Sequence, residues 1–236
     1  MASAKVSVVV VTCGGLAAYA VTARSSKEGK TVGIREIEAV RLPQAKHDGA
    51  FSVEKALAKR RSVRHYADEP LTLTQLSQIL WAAQGITSSG IGLRSAPSAG
   101  ALYPLELYVV AGKVEELPPG IYRYAPQGHA LMKQADGDRR HELERAALNQ
   151  AWIARAPVVL VLSAIYRRTT IKYGNRGIRY ADIEAGHASE NVYLQSAALG
   201  LATCAVGAFT DEAVKRVMGM GDSEAPLYIM PVGKPR

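Results

Sequence analysis

Lys59-Arg60-Arg61-Ser62-Val63-Arg64-His65-Tyr66 follows a helix-like run with Val53, Ala56 and Leu57 on one face and precedes a turn signal, Asp68-Glu69-Pro70. Arg60, Arg61, Arg64 and the Ser62 hydroxyl fall within five residues. A planar guanidinium grips phosphate oxygens as a fork, so the cluster is a concentrated anion site. Taken alone, a basic run is most often a solvated face. Its company changes the reading. Ser95-Ala96-Pro97-Ser98-Ala99-Gly100 and Gly200-Leu201-Ala202-Thr203-Cys204-Ala205-Val206-Gly207 come after it in order. Small residues such as those at 95–100 let a backbone approach a flat ligand closely.

The 236 residues suffice for one sizeable domain with a real core, and 48% hydrophobic with 21% charged residues is ordinary globular composition. The formal charge of +8 invites a nucleic-acid reading. The cations are scattered, however, and form no single stripe with interleaved aromatics. An anionic cofactor or substrate explains the local cluster more economically, so no nucleic-acid partner is expected. Cys13 lies in the N-terminal apolar segment, so with that segment removed or buried in a membrane Cys204 is left alone and no intramolecular disulfide is expected; Cys204 reads as a buried inert thiol.

Residues 6–21 are apolar apart from Thr12, Cys13, two glycines and Tyr19, a run marginal for a membrane span. Lys5 ahead of it and Ala18-Tyr19-Ala20 behind it fit a short signal peptide. Arg24, Lys27 and Lys30 place more positive charge after the run than before it, which disfavours translocation of the downstream chain. Residues 1–23 are therefore expected to be membrane-directed, as a cleaved signal or as a retained anchor attached through residues 6–21. Residues 24–51 read as a linker or arm, and 52–236 as one domain.

Within that domain the spacing predicts helices over 52–61 and from Thr72, where Gln75 completes a capping box and Gly85 closes the element. Residues 85–100 read as a glycine- and serine-rich loop. Strands are expected over 105–111, 121–124, 157–165, 202–206 and 227–232, and helices over 138–154, 182–199 (capped by Asp182) and 210–218. Strands and helices mix without strict βαβ repetition, which points to an α+β fold with a mainly antiparallel central sheet flanked by helices.

The three segments together resemble the FMN-dependent nitroreductase-like flavoproteins, from about residue 52 to the C-terminus. The resemblance implies a nitroreductase-like homodimer with FMN at the subunit interface. Arg60, Arg61, Ser62 and Arg64 match the motif that grips the flavin phosphate and ribityl chain. Pro97, Ser98, Ala99 and Gly100 match the segment that lies along the flavin, donated by the other subunit. Val206, Gly207 and Ala208 match the turn that presents backbone N–H groups to flavin N5, although many members carry Glu-Gly where Gly207-Ala208 stand. Lys234, or Arg236, stands where other members supply a further basic contact. Ala101-Leu102-Tyr103-Pro104 with Glu106, and Lys172-Tyr173-Gly174-Asn175-Arg176-Gly177-Ile178-Arg179-Tyr180 leading to Glu184-Ala185-Gly186-His187, are similar to the SagB/ThcOx branch, which oxidises azolines to azoles in peptides. There the Lys-Tyr pair is associated with dehydrogenation, which assigns Lys172 and Tyr173 to proton handling; a desolvated lysine can serve as a base. As plain sequence, Lys172 reads equally as part of a solvated basic loop.

Glu184-x-x-His187 has the spacing of a di-iron ligand pair, but no second copy on a partner helix accompanies it, so no metal is expected. Gly90-x-Gly92 lacks the third glycine of a dinucleotide fingerprint. The expectation is an FMN-dependent oxidoreductase moving hydride between flavin N5 and a small-molecule or peptide substrate. The alternatives are an NAD(P)H-driven nitro or quinone reductase and a flavin-binding module without turnover.

Overall fold

A computed structural model describes residues 6–13, 16–23, 38–88 and 90–236. It divides into two units, Met1–Ala39 and Val40–Arg236. In the first, β1 (Val6–Cys13) and β2 (Leu16–Ala23) pair antiparallel, from Val6 opposite Ala23 to Cys13 opposite Leu16. This corrects the expectation of a membrane-directed segment over residues 6–21. Among the described residues no helix is long and apolar enough to cross a membrane. The run is rich in β-branched valines (Val6, Val8, Val9, Val10, Val11), whose stiff side chains favour a pleated strand over a helix.

The second unit is built on a seven-stranded sheet. In chain order its elements are β3 (Ala39–Arg41), α1 (Val53–Lys59), α2 (Leu73–Gln84), β4 (Ile86–Ser88), β5 (Leu93–Arg94), β6 (Leu105–Ala111), β7 (Gly120–Ala125) and β8 (Ala130–Asp136). Then come α3 (Arg140–Ala146), α4 (Trp152–Arg155), β9 (Val158–Ala164), α5 (Arg167–Tyr173), α6 (Arg176–Ala198), β10 (Ala202–Thr203), α7 (Asp211–Met218) and β11 (Ala225–Gly233). The sheet runs β10-β11-β9-β6-β7-β8-β3, and its pairs from β10 through β8 are antiparallel. β4 and β5 form a separate small ribbon inside the segment read as a loop.

Period-two alternation sorts the core into two layers. Leu105, Leu107 and Val109 of β6, with Leu160 and Leu162 of β9, pack against Leu76, Ile79 and Leu80 of α2 and Ala185, Ala188 and Val192 of α6. Tyr108, Val110, Val159 and Val161 face the other way, toward Leu143 of α3, Ile153 of α4 and Val214 and Met218 of α7. β9 is apolar at nearly every position because both its faces are covered, each fully buried leucine or valine contributing about 1.5–3 kcal/mol. The α+β architecture expected from the sequence is the one observed.

Two helices depart from expectation. The single helix expected over 138–154 is broken into α3 and α4, with Leu148 and Asn149 both at φ 58° between them. α6 begins six residues before Asp182, whose carboxylate, instead of capping it, accepts from the Tyr166 hydroxyl at 2.8 Å. Gly177 makes this earlier start compatible with α5: a Cβ there would lie 2.7 Å from the Thr169 carbonyl carbon and the Thr170 nitrogen.

The segment after β3 is pinned by His129. Its Nε2 lies 3.0 Å from the Pro43 carbonyl and 2.7 Å from Ser77 Oγ, and its Nδ1 lies 2.8 Å from the Tyr124 hydroxyl. Neutral His129 carrying its proton on Nε2 donates to Pro43 and accepts from Tyr124. Burial holds its pKa below the ordinary histidine value, against a smaller opposing pull from the Pro43 carbonyl. A histidine held neutral contributes stability that is fully present above the unfolded pKa of about 6.5 and is lost as pH falls through the lower folded value. Thermal unfolding should therefore shift down by on the order of a few degrees below pH 6.5. His129→Gln should flatten that part of the profile, and an unchanged slope would remove His129 as its source.

Candidate active site

Ser52 caps α1, its Oγ accepting from Lys55 N at 3.2 Å, and the helix ends at Arg60. Arg61 closes that end: its Nη1 donates to the carbonyls of Ala58 (3.1 Å) and Arg60 (2.6 Å), a cation on unpaired helix-terminal oxygens. The chain then turns alongside β10, where Ser62 bridges Thr203 in parallel and Val63 N donates to Thr203 O at 3.0 Å. Ser62 Oγ lies 3.0 Å from Tyr193 Oη of α6, and Ala205 N donates to the same phenol at 2.7 Å. With the phenol proton directed at Ser62, the serine proton is free for an oxyanion.

The Arg60 guanidinium sits 5.3 Å over the Tyr193 ring, with its Nε 3.9 Å from Glu190, and the Arg64 guanidinium sits 5.5 Å over the Trp152 ring. Aromatic faces hold both planar cations without neutralising them. The last residues run alongside: Ala67 N donates to Lys234 O at 3.0 Å, Arg236 N donates to His65 O at 3.1 Å, and the Lys234 ammonium pairs with Glu69. A cavity of about 630 Å3 opens here, lined by Phe51, Lys59, Arg60, Arg61, Tyr193 and the backbone leading to Thr203. Three cations on one wall make it electropositive.

A second cluster forms where residues 97–104 meet α5. Ser98 Oγ accepts from Tyr103 N at 2.9 Å, closing a turn in which Gly100 (φ 63°), Ala101 (φ 55°) and Tyr103 (φ 45°) are left-handed. A Cβ on Gly100 would lie 2.7 Å from Tyr173 Oη and 2.9 Å from Lys172 Nζ. Glycine is needed here twice, for the backbone angle and for that approach. Lys172 and Tyr173 form the C-terminal end of α5. Lys172 is exposed, with its ammonium 5.3 Å from the Tyr173 ring, and Tyr173 packs edge-on against Tyr180 at 5.2 Å. In this single chain the lysine therefore stands in solvent and not in the desolvated setting expected for a base.

The third segment is placed by β11: Val206 N donates to Ile229 O (2.9 Å) and Ile229 N to Val206 O (3.0 Å). Gly207 and Ala208 come next as exposed residues, and Ala208 O accepts from Gln150 Nε2 at 2.9 Å. A Cβ on Gly207 would meet only Tyr228, at 3.8 Å, so space does not require glycine there.

The structure thus joins Gly100 to Lys172 and Tyr173 of α5, and Arg60 and Ser62 to Tyr193 of α6. Ser98 sits against Glu184 and Ser62 against Tyr193, nine residues apart, which is about 14 Å of helix. Sequence reading missed Tyr193, which organises the basic cluster, and Arg94, which stacks 4.4 Å over Tyr103. Neither carries a local signal, since each acquires its role from a segment distant in the chain or across a turn.

Residues 57–234 match the nitroreductase family model. The chain is 47% identical over 184 residues to MJ1384 of Methanocaldococcus jannaschii, a protein described as a nitroreductase; the match covers 78% of this chain and 91% of that one. It is 26% identical over 192 residues to the FMN reductase [NAD(P)H] of Bacillus subtilis strain 168, covering 76% of this chain and 62% of the reductase, less than two thirds of its length. A chain of the Escherichia coli microcin synthetase McbBCD complex, solved with truncated pro-MccB17 bound, superimposes with a TM-score of 0.66 at 26% identity, covering 73% of this chain and 67% of that one.

Proposed function

The chain belongs to the nitroreductase family and is an oxidoreductase, and from that premise we propose that it is FMN-dependent, with the phosphate of the cofactor at Arg60, Ser62 and Arg64. The donor set fits: two ring-stacked guanidiniums and a hydroxyl suit a phosphate bearing about two negative charges. Arg61 keeps its remaining N–H groups for the same anion while closing α1, and Lys234, paired with Glu69, would have to leave that carboxylate to add its charge. The kinship with an FMN reductase supports this cofactor. When bound, FMN supplies hydride acceptance and donation.

The chain's own residues position and protect. Pro97, Ser98, Ala99 and Gly100 offer a segment of small residues along which a flat ring can lie. Val206, Gly207 and Ala208 present main chain from the end of β11's partner segment. The 14 Å separation along α6 supports a homodimer in which the 97–100 turn of a second copy completes the site beside Arg60. Exposed Ile171 (77%), Ile178 (42%) and Ile183 (49%) supply apolar surface for such a contact. In this reading the catalytic domain spans 52–236.

For the reaction we favour a SagB/ThcOx-type dehydrogenation, and the observation that carries it is the contact of Gly100 with Lys172 and Tyr173. It sets an amine and a phenol against the turn assigned to the flavin, where Lys172 removes a substrate proton and Tyr173 orients it. The dimer contact would supply the desolvation that the single chain lacks. Kinship with a complex that holds a peptide supports a peptide substrate. A second reading, reduction of a small acceptor by NAD(P)H, is favoured by the Bacillus relative. Heating the purified protein should release about one FMN per subunit. Anaerobic addition of NADH or NADPH then separates the readings: rapid bleaching of the flavin supports the reductase. A flavin bleached only by an azoline-containing peptide supports the dehydrogenase.

A further inference from the structure

Residues 100–104 and the segment 165–173, which contains α5, meet in opposite order along the chain, with contacts at both ends and in the middle. Just ahead of α5, Ile165 N donates to Pro104 O at 2.8 Å. One turn on, Arg168 Nη1 donates to Tyr103 O at 3.0 Å. At the far end Lys172 and Tyr173 close on Gly100, where a Cβ would lie 2.9 Å from Lys172 Nζ and 2.7 Å from Tyr173 Oη. Arg168 and Lys172 are four residues apart in α5, so they share one helical face. Arg168 thus stands between the anchored start of α5 and the amine and phenol at its end.

Arg168 is itself held. Its Nη2 pairs with Glu106 of β6, whose side chain is 13% exposed and whose other oxygen lies 3.8 Å from Arg123 Nη1. One guanidinium therefore spans two acceptors, a carboxylate on the sheet and a main-chain carbonyl in the turn. The planar fork of arginine permits this; the compact ammonium of lysine is not preorganised for it. The carbonyl belongs to a residue with little freedom. Tyr103 sits at φ 45°, its N donates to Ser98 Oγ at 2.9 Å, its hydroxyl accepts from Arg94 N at 3.0 Å, and its ring stacks on the Arg94 guanidinium. A left-handed tyrosine backbone persists only where its surroundings over-determine it. The turn is fixed at Tyr103, and Arg168 transmits that fixed point to α5.

We propose that Arg168 is a positioning residue: by gripping Tyr103 O while Glu106 holds its guanidinium, it sets α5 on the turn so that Lys172 and Tyr173 meet Gly100. The inference rests on reading Lys172 and Tyr173 as the proton-handling pair. The Arg168 side chain is 37% exposed and lies outside the core, and Arg123 remains beside Glu106 without it, so its loss leaves the fold in place.

The test is steady-state dehydrogenation of a thiazoline-containing peptide by the flavin-loaded full chain. Arg168→Ala should lower kcat by about ten- to a hundredfold, the scale of an ~1 Å misplacement of a reacting group, with KM changed only a few-fold and flavin content unchanged. Arg168→Lys keeps the charge opposite Glu106 but loses the two-acceptor bridge, so it should recover little of the rate. The readout that a merely structural role would not produce is the double variant. Arg168→Ala/Lys172→Ala should turn over within a few-fold of Lys172→Ala alone, because a group already absent cannot also be displaced. Losses that multiply, or an Arg168→Lys protein with the wild-type kcat, overturn the proposal.

Amide hydrogen exchange supplies a readout that needs no substrate. Arg168→Ala should speed exchange about tenfold over residues 94–103 and 165–173 and leave β9 as in the wild type. Unchanged exchange in both segments overturns the proposal. A wild type that dehydrogenates no thiazoline peptide defeats the proton-handling reading separately, and the exchange comparison still decides whether Arg168 places α5.

Discussion

Replacing both Arg60 and Arg64 with alanine should weaken FMN binding by about three orders of magnitude while leaving the fold in place. Each charge-assisted hydrogen bond to a phosphate contributes about 1.5–3 kcal/mol, so two together account for roughly 4 kcal/mol, or about a thousandfold in Kd. Neither guanidinium belongs to the core: Arg60 rests on the ring of Tyr193 in the cavity wall, and Arg64 rests on the ring of Trp152. The unfolding temperature should accordingly move by no more than a few degrees. Arg61→Ala makes an informative contrast, because its Nη1 is engaged with the carbonyls that end α1. It should cost less in affinity and more in local helix stability. The measurements are heat-released flavin per subunit and quenching titration at fixed salt. Full flavin content in the double variant would return the basic cluster to an ordinary solvated face.

Lys172→Ala should lower dehydrogenation of a thiazoline-containing peptide by about 10²–10⁴-fold, the usual range for removing a positioned acid or base, with flavin content unchanged. The separation along α6 is the reason for the second half of that expectation. Lys172 stands at the Gly100 end and the basic cluster at the Tyr193 end, so the loss should fall on turnover and not on cofactor retention. Tyr173→Phe keeps the edge-on packing against Tyr180 and removes only the hydroxyl, so it should show a smaller loss. If NADH or NADPH reduces the flavin, that half-reaction should be changed only a few-fold in either variant, because hydride delivery from a nicotinamide needs no base. A Lys172→Ala protein with undiminished turnover would assign the proton to another group.

The parts of this molecule readable from the chain alone are those whose chemistry closes within a few residues. Thr72 and Gln75 satisfy each other's backbone N–H groups, so the start of α2 is written in four residues. Ser52 and Gly85 mark helix boundaries in the same local way. The unbroken apolar run of β9 announces a strand covered on both faces, and strand periodicity with the helix pattern between was enough for the α+β class. The basic motif could be found because its cations fall within five residues.

Tertiary structure alone decided what each of those groups touches. The valine-rich run 6–13 is apolar enough to read as membrane-directed, and its pairing with 16–23 settles it as a strand. Arg61 belongs partly to a helix end, and Asp182 became a partner of Tyr166 instead of a cap. Gly100 meets Lys172 and Tyr173 across some seventy residues, and Glu184, which on spacing alone resembles half of a metal site, is a buried acid on α6. Caps and periodicity are fixed by backbone geometry within one or two turns. The fate of a guanidinium or a carboxylate depends instead on solvent exclusion and on partners delivered by distant segments, and these exist only once the sheet has brought its layers together.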